Sequence, residues 1–303
     1  MSDFPLVSIL INNYNYGQFL GEAIDSALNQ TYSNIEVIVV DDGSTDNSRD
    51  VIESYGDLIQ PIMKANAGQA SAFNVGFAAS QGEIICFLDS DDIFLSEKIE
   101  KIEKIFARNQ DIGWCFHALS MVGPVLKRLL ENTYRGDSGR YDLTSHMKRG
   151  KLSGKMPFDG TATSAICFRR SFLASILPMP EADNITLHDD YLKYVSFGVT
   201  PGYILLEELA LQRLHGNNTA TNRSDRQGLK IKIQSTTSYW IKTNFPALSK
   251  FSNNLIALGL SQSWLLGGVD SECQKIMSYY LAKATLLEKL EIFLRAIYYR
   301  FKP

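Results

Sequence analysis

The chain has 303 residues, of which 45% are hydrophobic and 21% are charged. This composition is ordinary for a globular protein with a sizeable core, and the length allows one large domain or two modest ones. A formal net charge of -3, from 30 basic and 33 acidic side chains, provides no broad positive field and excludes nucleic acid as the default partner.

The first ninety residues alternate between strand-like and helical patterns. Residues 6–11, 35–40 and 84–88 are continuous β-rich runs, and 58–63 is a poorer run in which Pro61 predicts an edge or irregular strand. Apolar residues at helical spacing mark a helix in each interval between these runs. This β-α-β-α-β-α-β order predicts a parallel, doubly wound sheet.

The rest of the chain is less regular. A fourth helix is expected to begin near Ser96, and the Gly-, Ser-, Lys- and Arg-rich segment 120–165 predicts a long, partly irregular insertion that faces substrate. The runs "SAICFRR" and "GYILLEELALQRL" predict two further strands. From about residue 226 the pattern is mostly helical.

Cysteine usage and the chain ends predict the compartment. The four cysteines stand singly in apolar runs, which is typical of core thiols in a reducing environment. The start, "MSDFPLVSIL", lacks the features of a secretory signal, and the apolar stretch "NLIALGLSQSWLLGG" is too short and too interrupted to span a bilayer. We therefore expect a cytoplasmic protein.

Acidic residues follow two of the predicted strands. The glycine-rich loop that often binds phosphate after the first strand of a nucleotide-binding sheet is missing. The first strand continues as "INNYNYGQF", without the G-x-G-x-x-G or P-loop pattern. Acids come after the second strand in "VVDDGSTDNS" and after the fourth in "LDSDD". Carboxylates cannot bind phosphate directly, but they can hold Mg²⁺ or Mn²⁺ on a nucleotide diphosphate.

Four segments resemble the family 2 glycosyltransferases of the GT-A fold. They are "VSILINNYNYGQFLGEAIDSALNQTYSNIEVIVVDDGSTDNS", "NAGQASAFNVGFAASQGEIICFLDSDD" and, less exactly, "LHDDY" and "RLHGNNTA". The resemblance covers roughly residues 5–220. It implies a metal-dependent, inverting hexosyltransferase that moves sugar from a nucleotide diphosphate, first of all a UDP-sugar, to a glycan or lipid-linked acceptor.

The resemblance also implies an α/β domain organisation. A GT-A domain is expected over 1–225, with a doubly wound, mostly parallel sheet. Its Rossmann-like nucleotide-sugar half would cover about 1–118 and its acceptor half about 119–225. Residues 226–303 would form a helical extension.

By resemblance, the segment after the first strand binds the nucleotide base. Asn13, Tyr14 and Asn15 would line the base pocket, although the same residues could form a polar turn. Asp42 would accept a hydrogen bond from the uracil ring N–H. Asp46 is instead predicted to cap the second helix, a role that Asp42 could also have.

The resemblance assigns the "NAGQ" turn and part of "LDSDD" to the donor. Gly68 and Gln69 would approach the nucleotide, or they could form a plain glycine turn. Asp89 and the backbone of Ser90 would lie toward the ribose and the donor sugar.

A metal site is implied at the same strand end. Asp91 is the expected direct ligand of Mn²⁺ or Mg²⁺, with Asp89 beside it. His215 would complete the metal shell, although a lone histidine is often structural. Asp92 is expected to be a turn residue.

The general base would be a carboxylate in "HDDY". Asp190 aligns with the family's base, and Asp189 replaces the glutamate that precedes it in the family pattern. Which of the two faces the acceptor stays open. The pair could also be an acidic pair at a helix N-terminus.

The C-terminal segment "LLEKLEIFLRAIYYRFKP" has apolar residues at helical spacing with basic residues nearby. It could pack on the catalytic domain, or it could make peripheral contact with the inner face of a membrane that carries a lipid-linked acceptor.

Three other functions compete with sugar transfer. A sugar nucleotidyltransferase would want a glycine-rich loop after the first strand, and a signalling receiver domain would leave most of this chain unexplained. A catalytically inactive homologue that binds sugar or a partner protein stays the alternative.

Overall fold

The computed structural model describes residues 4–123, 125–129, 136–151, 162–181, 189–216, 218 and 226–301. Its elements in chain order are β1 (Val7–Asn13), α1 (Gly17–Leu28), β2 (Ile35–Asp41), α2 (Ser48–Ser54), β3 (Gln60–Met63), α3 (Gln69–Ala79), β4 (Ile84–Asp89), β5 (Ile93–Phe94), α4 (Lys98–Arg108), β6 (Trp114–Val122), β7 (Gly139–Tyr141), α5 (Thr144–Lys148), β8 (Ile166–Arg169), α6 (Arg170–Leu173), α7 (Asp189–Val199), β9 (Gly202–Arg213), α8 (Arg226–Asn244), α9 (Ser249–Leu265), α10 (Ser271–Lys283) and α11 (Leu286–Phe301). Short 3-10 turns cover Gly56–Leu58, Thr163–Ala165 and Pro246–Leu248. Residues 124, 130–135 and 152–161 of the predicted insertion lie outside the described residues.

One sheet contains all the described strands, in the order β3-β2-β1-β4-β8-β6-β9-β5 with β7 beside β9. The first four strands pair in parallel, which confirms the doubly wound first half. The remainder is mixed, because β8 runs antiparallel to both β4 and β6, whereas β6 and β9 are parallel. Pro61 lies in β3 at the edge of the sheet, as predicted for a residue without a backbone N–H.

Two compact units divide the chain. The first comprises the described residues of Met1–Tyr141, Met156–Asp183 and Thr200–His215. The second comprises those of Asp142–Lys155, Asn184–Val199 and Gly216–Pro303.

The first unit buries its core against the sheet. The strands β1, β2 and β4 are almost entirely buried, as their unbroken apolar sequences predicted. Helices α1 and α4 add apolar faces to the same core. Cys86 and Cys115 each lie opposite Cys167 on neighbouring strands, and all three are buried free thiols, as expected of core cysteines.

The second unit is helical, as predicted for residues after 226. Ile231, Ile256, Met277 and Ile292, from α8, α9, α10 and α11, share its core. A capping box begins α11: the Thr285 N–H donates to Glu288 at 2.9 Å, and the Glu288 N–H donates to Thr285 Oγ1 at 3.3 Å.

Within the described part of the chain, no helix has both the length and the apolar character needed to cross a membrane.

Candidate active site

Three carboxylates meet where β4 ends. Asp89 is the last residue of the strand, and the chain turns back at once, because the Asp92 N–H donates to the Asp89 carbonyl at 3.0 Å. Ligand oxygens of Asp89, Asp91 and Asp92 lie within 4.8 Å of one another. Such crowding of negative charge is unfavourable without a cation, and this is the cluster that the sequence predicted.

The pairing of β5 with β9 brings a distant segment to this cluster. Ile93 and Phe94 pair with Leu211 and Ala210, so the end of β9 lies beside the acidic turn. His215 Nε2 consequently lies 3.0 Å from Asp91 Oδ2, and both side chains are buried. The structure therefore brings together the predicted metal-site residues of the two segments.

Asp92 is the most deeply buried member of the cluster. Its carboxylate accepts the Ser164 hydroxyl at 2.6 Å and the Arg213 N–H at 2.9 Å, and the residue is 2% exposed. Burial, followed by the charges of Asp91 and Asp89, raises the pKa of Asp92 well above its ordinary value. The predicted turn residue is thus also part of the charge cluster.

Asp89 is held from both sides. Asn12 of β1 donates to its Oδ1 at 2.9 Å, and Gln69 Nε2 lies 3.4 Å from the same oxygen. The side-chain oxygens of Asn12 and Asn13 are buried and have no hydrogen-bond partner among the described residues. Unsatisfied buried oxygens call for a donor or a cation.

The loop after β2 is stabilised by hydrogen bonds to its own carboxylates. Asp41 accepts from Asn13 Nδ2 at 2.7 Å and from the Ser44 N–H at 3.0 Å. Asn15, which has a positive φ of 59°, accepts the Thr45 N–H at 2.7 Å. Tyr14, which lies between Asn13 and Asn15 in the segment after β1, is 48% exposed.

Asp42 fastens the "NAGQ" turn. Its carboxylate pairs with Lys64 and accepts the N–H groups of Ala67 at 3.0 Å and Gly68 at 2.7 Å. Gly68 has a φ of 88°, a conformation that favours glycine. In this structure Asp42 therefore shapes the turn that precedes α3.

Asp46 begins two helices. Its carboxylate accepts the Gly17 N–H at the start of α1 at 2.9 Å and the Ser48 N–H at the start of α2 at 3.0 Å. Asn47, and not Asp46 as predicted, occupies the N-cap position of α2, so Asp46 provides an acceptor to both helix starts from outside the helices. Burial opposes ionisation, but the hydrogen bonds from Ser48 and Gly17 prevail and lower the pKa of Asp46.

The proposed base residues begin α7 in the second unit. Asp189 and Asp190 occupy its first turn, where the macrodipole favours acids. Lys193 Nζ lies 3.0 Å from Asp189 Oδ2 and 2.8 Å from Asp190 Oδ1. Burial would lower the pKa of Lys193, but the two carboxylates raise it, so the lysine stays charged.

Sequence reasoning missed the residues that support the cluster. The Ser164 hydroxyl accepts the Asp89 N–H at 3.1 Å while donating to Asp92, and the buried Lys98 donates to the Ser164 carbonyl at 2.8 Å. Arg213 Nε donates to the Asp91 carbonyl at 3.1 Å. No local pattern marks these residues, because their partners are far away in the chain.

Comparison with known proteins decides the family. The profile described as "Glycosyl transferase family 2" matches residues 8–174. A relative from Nostoc sp., named an uncharacterised glycosyltransferase, is 34% identical over 262 residues, which is 82% of this chain and 80% of the relative. This chain belongs to glycosyltransferase family 2.

The resemblance seen in the motifs is thereby confirmed, and the protein is a glycosyltransferase. Another relative with high local similarity is the uncharacterised glycosyltransferase EpsJ of Bacillus subtilis. It is 42% identical over 115 residues, which is 37% of this chain and 33% of EpsJ.

Solved structures share the fold. S. aureus TarS 1–349, in complex with UDP-GlcNAc, has a TM-score of 0.60 at 15% identity and covers 97% of this chain and 91% of its own. The mannosyltransferase PcManGT from Pyrobaculum calidifontis, with GDP-Man and Mn²⁺, has a TM-score of 0.55 at 16% identity, covering 100% of this chain and 82% of its own. At these identities the likeness establishes the fold alone, and the predicted GT-A fold is confirmed.

Proposed function

We propose that this glycosyltransferase is metal-dependent and inverting, and that it transfers a hexosyl group from a UDP-sugar to a glycan or lipid-linked acceptor. The observation that carries the proposal is the carboxylate pair Asp89 and Asp91 at the end of β4, with His215 Nε2 3.0 Å from Asp91. A histidine from the end of another strand gives this pair a third ligand of different chemistry.

The residues fit Mn²⁺ or Mg²⁺. Asp91 and Asp89 offer hard carboxylate oxygens, which both ions accept, and the His215 imidazole suits Mn²⁺. The raised pKa of Asp92, caused by burial and then by its two acidic neighbours, marks a surplus of negative charge at this point. A bound divalent ion would stabilise the charge on the departing diphosphate.

The nucleotide is proposed to lie along the ends of β1, β2 and β4. Asn13, Tyr14, Asn15 and Asp42 would surround the base, with Asp42 accepting the uracil N–H. A carboxylate has about four acceptor positions, and Lys64 with two backbone N–H groups uses three of those on Asp42. A further donor can therefore be accommodated.

The donor's ribose and sugar are assigned to the neighbouring turn. Asp89 and the Ser90 backbone would contact them, while Gly68 and Gln69 would close over the nucleotide from the start of α3. Gln69 approaches Asp89 at 3.4 Å, which supports a common role for these two segments.

Asp190 is proposed as the general base that removes the acceptor hydroxyl proton, with Asp189 as the alternative. Lys193, which is 13% exposed, pairs with both carboxylates and holds them side by side at the start of α7, where one of them would take the acceptor proton. In-line attack opposite the leaving diphosphate would invert the anomeric centre.

The proposed acceptor class would make the protein part of polysaccharide biosynthesis, and a cytoplasmic location, peripheral at the inner face of the membrane, belongs to the proposal. Peripheral membrane contact through the C-terminal helix belongs to this proposal.

The test is a donor-hydrolysis assay, in which water takes the place of the acceptor and the sugar is released as the free hexose. UDP-, GDP-, dTDP- and CDP-hexoses are incubated with the protein and Mn²⁺ or with chelator, and release of the nucleoside diphosphate is measured. We expect metal-dependent release of UDP, with NMR of the first sugar product showing inversion. Release from another donor alone would overturn the uracil assignment, whereas nucleotide binding without any turnover would favour the inactive homologue.

A further inference from the structure

The outward face of α11 is apolar along its whole length. Leu286 and Leu287 are 84% and 79% exposed, which is extreme for leucine. We define the outward stripe as the exposed residues Leu286, Leu287, Leu290, Phe293, Leu294, Ile297, Tyr298 and Phe301. A stripe of this size exceeds the scattered apolar side chains that are normal on a protein surface.

The stripe is not the core-facing side of the helix. Ile292 and Ala296 are fully buried in the core of the second unit, where α11 packs on α9. At 3.6 residues per turn, the stripe occupies a separate arc of about 140°. Every charged residue of α11 lies outside that arc, so the helix has one apolar face for its own core and another that faces outward.

The charges beside the stripe are unequal. The acidic residues of α11 are both paired: Glu288 with Lys242 at 2.8 Å, and Glu291 with Arg295 at 2.8 Å. Lys289 and Arg300 lie along one edge of the stripe, and no carboxylate in the described part of the chain pairs with either of them. That edge is therefore cationic.

Aromatic residues at the stripe are a second feature that is typical of membrane surfaces. The half-buried Trp264 of α9 stacks on Phe293 of the stripe, with ring centroids 6.4 Å apart and planes 8° apart. Tyr298 belongs to the stripe itself. Tryptophan and tyrosine are enriched where protein meets the boundary between lipid and water.

We propose that the outward stripe of α11 lies in the headgroup boundary of an anionic bilayer, with the helix axis parallel to the membrane plane. An apolar arc beside lysine and arginine is the arrangement by which amphipathic helices bind such surfaces. A second copy of the chain would bring the same apolar arc and the same cations, whereas anionic lipid complements both features. This inference deepens the membrane contact of the proposed function by naming the face and the lipid charge. Its link to a lipid-linked acceptor rests on the proposed function, whereas the exposed apolar arc and its cations are observed independently of the donor site.

The experiment is flotation of the full chain with vesicles of phosphatidylglycerol and phosphatidylethanolamine, compared with vesicles of phosphatidylcholine. The protein is expected to float with the anionic vesicles, and high salt is expected to weaken the binding. The double variant Leu290→Glu/Leu294→Glu should lower the bound-to-free ratio at least about tenfold. Lys289→Gln/Arg300→Gln should remove most of the salt dependence.

The matched control is Leu58→Glu, which places the same charge on a leucine that is 67% exposed in the first unit. It should float like the unmodified protein. The alternative is that a second copy of the chain covers the stripe. Light scattering without vesicles measures the mass in solution, and a dimer that becomes monomeric in the Leu290→Glu/Leu294→Glu variant would overturn the proposal.

Absence of flotation, or an equal loss with Leu58→Glu, would also overturn it. Thermal stabilisation by UDP with Mn²⁺ is measured on the same samples, because it does not involve lipid. Intact stabilisation without flotation refutes membrane docking alone, and flotation without stabilisation refutes the nucleotide site alone.

Discussion

Two acidic loops flank the end of β1, and they differ in how their charge is compensated. The Asp41–Asp46 loop accepts hydrogen bonds from backbone N–H groups, from Asn13 and from Lys64. The Asp89–Asp92 loop brings three carboxylates within 4.8 Å of one another.

The pKa values show the consequence. In the first loop, hydrogen bonds overcome burial and lower the pKa of Asp46. In the second loop, burial and the two neighbouring carboxylates raise the pKa of Asp92 well above its ordinary value. The charge of the first loop is thus compensated by donors, whereas the crowding of carboxylates in the second loop supports the proposed cation site there.

The largest expected effect is that of Asp91→Asn. Loss of the metal's charge stabilisation should lower kcat by about 10³ or more. The variant should unfold at the same or a higher temperature without metal, because repulsion of Asp92 is relieved. Asp46→Asn is the control from the other loop and should retain turnover. Full turnover by Asp91→Asn would contradict the proposal that the Asp89–Asp92 loop holds the metal.

Asp190→Asn should lower kcat by about 10²–10⁴, since a general base contributes that much. Stabilisation by UDP and Mn²⁺ should be unchanged, because the proposed base contacts the acceptor. Asp189→Asn is the matched neighbour, and it shares the contact with Lys193. A larger loss with Asp189→Asn would transfer the role of base to that residue.

His215→Ala should weaken Mn²⁺ binding by about 10–100-fold, the range for a group that supports or completes a metal shell. The exposed His146 of α5 provides the control, and His146→Ala should leave the affinity unchanged. Metal titration followed by UDP-dependent thermal stabilisation measures both. Equal affinities would make His215 a structural partner of Asp91.

Asp46→Ala should lower the free energy of unfolding by about 1–2 kcal/mol at pH 7, because two helix starts lose their acceptor. The pKa of Asp46 is lowered from 3.8 in the folded state. Its contribution is therefore present above pH 3.8 and is lost as the pH falls through the folded pKa. Denaturant unfolding at pH 7 and at a series of pH values below 3.8 should show the stability difference between the unmodified protein and Asp46→Ala shrinking as the pH falls. A difference that stays constant would contradict this account of Asp46.

Local sequence patterns predicted much of the first unit. The strands before residue 90 have unbroken apolar runs because both faces of the sheet are covered, and the four helices between and after them have regular apolar spacing. The bond from Asp46 to the start of α2 could be predicted because its donor, the Ser48 N–H, is 2 residues away, whereas the bond from the Gly17 N–H, which is 29 residues away, could not.

The residues that support the Asp89–Asp92 carboxylate cluster could not be predicted in the same way. Lys98 and Ser164 are 66 residues apart, and Arg213 and Asp92 are 121 residues apart. Only the pairing of β5 with β9 and of β4 with β8 brings them together. The outward stripe presents a related difficulty: its apolar spacing is visible in the sequence, but which face of α11 is buried depends on α9.

The most direct test of the central claim compares UDP-dependent thermal shifts in the unmodified protein and in Asp91→Asn. A ligand that binds only the folded state raises the unfolding temperature by mass action, so no acceptor is needed. The account predicts a shift with UDP that requires Mn²⁺ and disappears in Asp91→Asn. A shift of equal size with chelator, or in Asp91→Asn, would contradict the assignment of the Asp89–Asp92 loop as the metal site.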